Sequence, residues 1–221
     1  MDATAKGLGL GEPTGVELPE YTGYRANEDT KALLHKGDDA RWYLGDQVLA
    51  SIGQSENRFT PMQLCSYVAT LANRGNRYKA TFMNRVVSSD YRTLLDENKT
   101  KLLSSMTISD EAYEAYSYGM YMVTQKDPVT LWEGTAYKTF KDYPVKIAAK
   151  TGTAETGIDG TSANGAFVCY APLENPQIAI AVYVEKGGHG STLATIAKSI
   201  LDAYFEDGVV GDVNSYENQI S

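Results

Sequence analysis

The chain has 221 residues, which is enough for one large domain or two small ones. Hydrophobic residues make up 43% of the chain, so a substantial buried core is expected. The formal net charge of −8 argues against binding to the phosphate backbone of a nucleic acid.

The first part of the chain, residues 1–58, is rich in glycine, proline and acidic side chains and shows weak periodicity. Residues 7–23 are typical of turns and short extended pieces. The glycine cluster at 7–11 follows no predicted strand and precedes no phosphate-loop lysine, so we do not expect a nucleotide site there.

The first clear helix is predicted to begin after Thr60 and to end before Gly75. Thr60 is followed by Pro61 and, three positions after the cap, by Gln63, which is the pattern of a capping box with a proline start. A second helix is predicted from Ser109, because two acidic residues follow it in the first turn and an apolar stripe continues at helical spacing.

After residue 144 the pattern changes from helical to extended. Three strands are predicted, at 145–155, 165–172 and 177–186. The connection at 173–176 is short, so the last two strands are expected to form an antiparallel hairpin. The longest apolar run of the chain lies in the third strand, at 178–184, and is far shorter than the roughly 20 residues of a membrane-spanning helix.

A closing helix is predicted with Ser191 as its N-cap and Gly208 as its stop. The order of helices first and antiparallel strands afterwards predicts an α+β fold. Cys65 and Cys169 lie far apart and lack metal-ligand spacing, so two separate thiols are favoured over a disulfide. His189 is interpreted as a turn or cap residue.

The strip Lys150-Thr151-Gly152-Thr153 lies within the first predicted strand. Lys150 supplies a fixed positive charge, Gly152 allows another backbone to approach, and the two threonines offer hydroxyls. Together with the Thr153 N–H, these groups suit a carboxylate and the oxyanion of an acyl-transfer reaction. The alternative is a polar edge strand with a solvated lysine.

The segments around this strip resemble the transpeptidase domain of penicillin-binding proteins, in which a Lys-Thr-Gly motif accompanies Ser-x-x-Lys and Ser-x-Asn. The block at 42–64 and the end of the segment at 167–190 are most similar to the class B, elongation-type branch. The resemblance covers about residues 5 to 206. The matching segments are 9–23, 42–64, 150–155, 167–190 and the closing helix.

The resemblance implies roles for the strip. Lys150 would lie near the serine of Ser-x-Asn and help to move protons. The hydroxyls of Thr151 and Thr153 would meet the carboxylate of a D-Ala-D-Ala stem peptide or of a β-lactam. The amide of Thr153, after Gly152, would form half of the oxyanion hole. Strict alternation along the strand separates Lys150 from both threonines.

The nucleophile motif Ser-x-x-Lys is absent from the sequence, since Ser55, Ser66 and Ser191 all lack a lysine three positions later. The string Ser162–Asn164 matches Ser-x-Asn but follows the strip, where the family places its motif earlier. We therefore expect residues 1–206 to be the C-terminal portion of a transpeptidase domain, inactive alone.

The resemblance places the nucleophile, the Ser-x-Asn loop and a membrane anchor upstream, with the domain on the extracytoplasmic face of the bacterial membrane. Residues 207–221 are expected to be an acidic, disordered tail. No cofactor or metal is implied. A catalytically silent scaffold and a serine β-lactamase or lactam sensor are the alternatives. The expected partners are stem peptides, β-lactams, the upstream half of the same domain and other wall-synthesis proteins.

The family sheet has five strands, two of them upstream, so a three-stranded remnant is expected here. The strand at 177–186 would then present an unpaired apolar edge, which is a template for another strand. The isolated chain is therefore expected to self-associate.

Overall fold

The computed structural model describes residues 1–155 and 160–206. The predicted tail at 207–221 and the predicted stop at Gly208 lie outside the described residues. The helices are α1 (Asp2–Gly7), α2 (Glu28–Leu34), α3 (Leu44–Ser51), α4 (Pro61–Ala72), α5 (Asp110–Met122), α6 (Tyr137–Phe140) and α7 (Ala194–Glu206), with 3-10 turns at Gly37–Ala40 and Gly190–Leu193. The strands are β1 (Asn76–Tyr78), β2 (Arg85–Val87), β3 (Leu94–Glu97), β4 (Leu102–Ser105), β5 (Ala148–Ala154), β6 (Asn164–Ala171) and β7 (Ile178–Val184).

The central sheet has the order β5-β6-β7, and both pairs are antiparallel. Lys150 pairs with Val168 and Thr153 with Gly165, while Ala171 pairs with Ile178 next to the β6–β7 turn. The three predicted strands, the hairpin and the α+β class are thereby confirmed. Within the described ranges, β7 pairs with β6 and has no second neighbouring strand.

Two apolar clusters sandwich this sheet. On one face Phe167 and Ile180 are buried with Leu201 of α7. On the other face Tyr170 is buried with Val68 of α4. Full burial of a large apolar side chain contributes about 1.5–3 kcal/mol, so the layers on both faces hold the sheet in place.

The predicted starts of α4 and α5 are confirmed. Gln63 N donates to Thr60 Oγ1 at 3.2 Å and Thr60 N donates to Gln63 Oε1 at 3.1 Å, which closes the capping box of α4. Ser109 caps α5 by accepting from Ala112 N at 3.2 Å. These local hydrogen bonds satisfy N–H groups that a helix start leaves without partners.

The start of the closing helix was predicted wrongly. His189, not Ser191, is at the N-cap position of a 3-10 turn, and α7 begins only at Ala194. The tighter turn is closed by Thr192 N donating to His189 O at 3.0 Å. Gly190, the first residue of this 3-10 turn, packs against the backbone of β5 and β6.

Short elements outside the sheet were not predicted. Helices α1 to α3 precede α4, and β1 pairs with β4 and β2 with β3 in two-stranded ribbons. The connection between α1 and α2 is held to α4 by Gln63 Nε2, which donates to Glu12 O at 3.0 Å and to Thr22 O at 2.8 Å. Cys65 and Cys169 are free thiols, as expected. No described helix combines the length and apolar character needed to cross a membrane.

Candidate functional site

The strip in β5 presents its side chains to both faces of the sheet. Ala148 packs in the cluster with Val68, whereas Ala149 packs in the cluster with Phe167. Because side chains alternate along a strand, Lys150 lies on the α4 side, and Thr151 and Thr153 lie on the α7 side. The separation expected from strict alternation is therefore present.

Lys150 is exposed, and its contact is within its own strand. Lys150 Nζ donates to Thr151 O at 2.7 Å. β5 pairs with β6 on one edge, and within the described ranges no strand pairs with its second edge. An exposed ammonium group beside such an edge suits an anionic or carbonyl-bearing ligand.

Both threonine hydroxyls are held by groups from elsewhere in the chain. Thr151 Oγ1 shares a hydrogen bond of 3.0 Å with Thr135 Oγ1, from the segment just before α6. Thr153 Oγ1 accepts from Gly190 N at 3.3 Å. The two hydroxyls are thus oriented before any ligand arrives.

The glycine turn before α7 packs directly on the strip. A Cβ added at Gly190 would lie 2.2 Å from Gly152 O and 2.3 Å from Ala166 O, so only glycine fits there. His189 is exposed at the start of the 3-10 turn, in agreement with the predicted turn role. Backbone contact therefore ties this turn to the strip.

The Ser-x-Asn string occupies a structural position. Asn164 pairs with Ala154 at the end of the strip. Its Oδ1 accepts from Lys186 N at 2.9 Å, in the turn after β7. This amide is engaged in closing the sheet, which agrees with the interpretation that the string is not the family motif.

The thiols are poor nucleophiles. Burial raises the pKa of Cys169 to about 12, and burial also raises the pKa of Cys65. A thiol attacks as the thiolate, so neither cysteine is reactive near neutral pH. Among residues 1–155 and 160–206, no three histidine, cysteine or acidic side chains form a cluster that could hold a metal ion.

A groove of about 380 Å³ lies between the segment around Thr135 and the 3-10 turn at Gly190–Leu193. Sequence reasoning identified the four strip residues but missed Thr135 and the close approach of Gly190. Thr135 lies in an irregular loop 16 residues before its partner, and no periodic signal marks it. The groove is lined by Glu133, Gly134, Thr135, Lys138, Thr139, Ser191 and Thr192.

Comparison with known proteins gives a consistent result. A family model described as "Penicillin binding protein transpeptidase domain" matches residues 1–202. The peptidoglycan D,D-transpeptidase MrdA of Haemophilus influenzae is 30% identical over 215 residues, which cover 90% of this chain and 31% of that protein. The chain spans between 27% and 34% of the length of the curated relatives it matches first.

Solved structures agree with the sequence comparison. PBP2 of Pseudomonas aeruginosa, in complex with WCK 5153, matches with a TM-score of 0.75 and 26% identity, over 97% of this chain and 44% of that chain. PBP2 of Helicobacter pylori, in complex with MreC, matches with a TM-score of 0.74 and 26% identity, over 94% and 36% of the two chains.

Proposed function

Because the chain belongs to the penicillin-binding protein transpeptidase domain family, we propose that it forms the C-terminal part of a class B peptidoglycan D,D-transpeptidase. Its relatives include D,D-transpeptidases by name. The observation that carries the proposal is the strip itself, in which an exposed lysine lies on one face of a strand that pairs on only one side within the described ranges, and two oriented hydroxyls lie on the other face.

The proposed reaction is serine acyl transfer. A serine from the rest of the domain attacks the carbonyl of the penultimate D-Ala of a stem peptide, and the terminal D-Ala leaves as its amine. The Thr153 N–H stabilises the oxyanion, and Lys150 supplies positive charge for proton transfer. Thr151 and Thr153 bind the substrate carboxylate. The acyl group then passes to the amine of a neighbouring stem peptide, which releases the serine.

A β-lactam follows the same first step, with opening of the lactam ring in place of D-Ala release. The sequence has no Ser-x-x-Lys, so we propose that this chain alone carries the electrophilic half of the site and no nucleophile. The proposed location is the extracytoplasmic face of the bacterial membrane. The MreC complex of the Helicobacter pylori relative supports wall-synthesis proteins as further partners.

The proposal also assigns a partner to the outer edge of β7. The remainder of the same domain supplies the next strand, and in its absence copies of this chain associate there. Sedimentation velocity over a concentration series tests this point. A monomer at high concentration would contradict it.

The function is tested by penicillin acylation of the complete protein that carries this chain. Lys150→Ala removes a charge that acts in the transition state, worth on the order of 2–4 kcal/mol, so acylation should slow by roughly 30- to 1,000-fold. Stability should change by no more than about 1 kcal/mol, because the lysine is exposed. Lys99→Ala, at an exposed lysine in the loop between β3 and β4, is the matched control. Normal acylation of the Lys150 variant would overturn the assignment.

A further inference from the structure

The segment between α5 and α6 is fastened to β5 and the residue just before it. Thr124 Oγ1, which is buried, donates to Ile147 O at 3.0 Å. The second contact is the 3.0 Å hydrogen bond between Thr135 and Thr151. The first contact lies just before β5 begins and the second lies within the strip. The segment between α5 and α6 is therefore held beside the first half of β5.

The backbone on both sides of Thr135 is fixed. Gly134 N donates to Gln125 O at 2.8 Å, and Ala136 N donates to Val123 O at 2.9 Å. A Cβ at Gly134 would lie 2.3 Å from Val123 O, so this glycine lies tightly against the end of α5. The backbone position of Thr135, an exposed residue, is therefore set by contacts with the residues at and just after the end of α5.

We infer that Thr135 is a positioning residue of the acyl-transfer site, which acts by orienting Thr151; this role rests on the function proposed above. The carbonyl oxygen of Thr151 accepts a hydrogen bond from Lys150 Nζ. The Thr153 amide lies two residues further along the same strand. A hydrogen bond that fixes Thr151 thus limits the movement of the neighbouring groups. Small displacements of reacting groups are costly in catalysis.

The direct test is amide hydrogen exchange of residues 148–154, measured by mass spectrometry on the complete protein. Thr135→Val deletes the hydroxyl while keeping the shape. Losing one ordinary hydrogen bond should speed exchange in this strand by about 2- to 12-fold. Thr135→Ser keeps the hydroxyl and should exchange as the native protein does. Thr107→Val makes the same chemical change at an exposed threonine elsewhere and should also leave the strand unchanged.

The same variants are compared in penicillin acylation, with initial binding and the acylation step measured separately. Thr135→Val should slow the acylation step by about 2- to 12-fold, and Thr135→Ser should restore it. Unchanged exchange in Thr135→Val, or changed exchange with unchanged acylation, would overturn the positioning role. A native protein that penicillin does not acylate would refute the proposed function, and the exchange result would still decide whether Thr135 holds the strand.

Discussion

Replacing Gly190 by alanine probes the contact between the glycine turn and the strip. The new Cβ would meet Gly152 O at 2.2 Å and Ala166 O at 2.3 Å, whereas unstrained contacts of carbon lie at roughly 3.5 Å, so the turn must move by about 1 Å. Overpacking of this kind costs about 1–3 kcal/mol, and the stiffer unfolded chain returns about 0.4–1 kcal/mol. With mid-range values of about 2 and about 0.7 kcal/mol, we expect a net loss on the order of 1 kcal/mol in the free energy of unfolding.

Urea unfolding followed by circular dichroism measures this loss. Gly119→Ala is the matched control, because Gly119 lies in α5 with nothing within 4 Å of an added Cβ. Alanine should stabilise that helix by about 0.5–1 kcal/mol, a change of opposite sign. If Gly190→Ala were as stable as the native chain, the turn would not be packed on the strip as described.

Three further outcomes are expected. Thr60→Ala opens the capping box of α4 and should lower the unfolding free energy by about 0.5–2 kcal/mol; an unchanged urea midpoint would count against it. Cys169, with its pKa raised by burial to about 12, should resist iodoacetamide at pH 8 until the chain unfolds, and rapid alkylation of the native chain would refute this. Hydrogen bonds from the Thr81 hydroxyl and from the Phe82 N–H lower the pKa of Glu17 from 4.5 to about 2, so the stability that the ionised carboxylate adds is present above pH 4.5 and is lost as pH falls toward 2. Thr81→Val should raise that pKa in an NMR titration, and an unshifted titration would exclude this contact.

Features with a local physical cause could be predicted from the sequence. The start of α4 is set by Thr60, Pro61 and Gln63, which lie within four residues. Alternation along β5 predicts that Lys150 lies on the other face of the sheet from Thr151 and Thr153. The central sheet was predicted because its strands are long and apolar and the last two are joined by a short connection. The four residues of the strip could be named from the sequence because they are contiguous.

Contacts between distant segments could not be predicted in this way. The bond from Thr135 to Thr151 joins an irregular loop to a strand, and neither partner shows a pattern that names the other. The start of α7 was misplaced because Ser191 is a good cap by composition, while packing of Gly190 on the sheet imposes a 3-10 turn instead. The ribbons of β1 with β4 and β2 with β3 have strands of three or four residues, too short for a period to show.

The central claim is that this chain supplies the Lys-Thr-Gly-Thr strand to a serine nucleophile located elsewhere in the complete protein. The most direct measurement is intact-mass analysis with peptide mapping after incubation with penicillin, on the complete protein and on this chain alone. We predict one acyl group per complete protein, on a serine outside these 221 residues, and no adduct on the isolated chain. A stoichiometric adduct on a residue of this chain, or a complete protein that penicillin does not label, would contradict the claim.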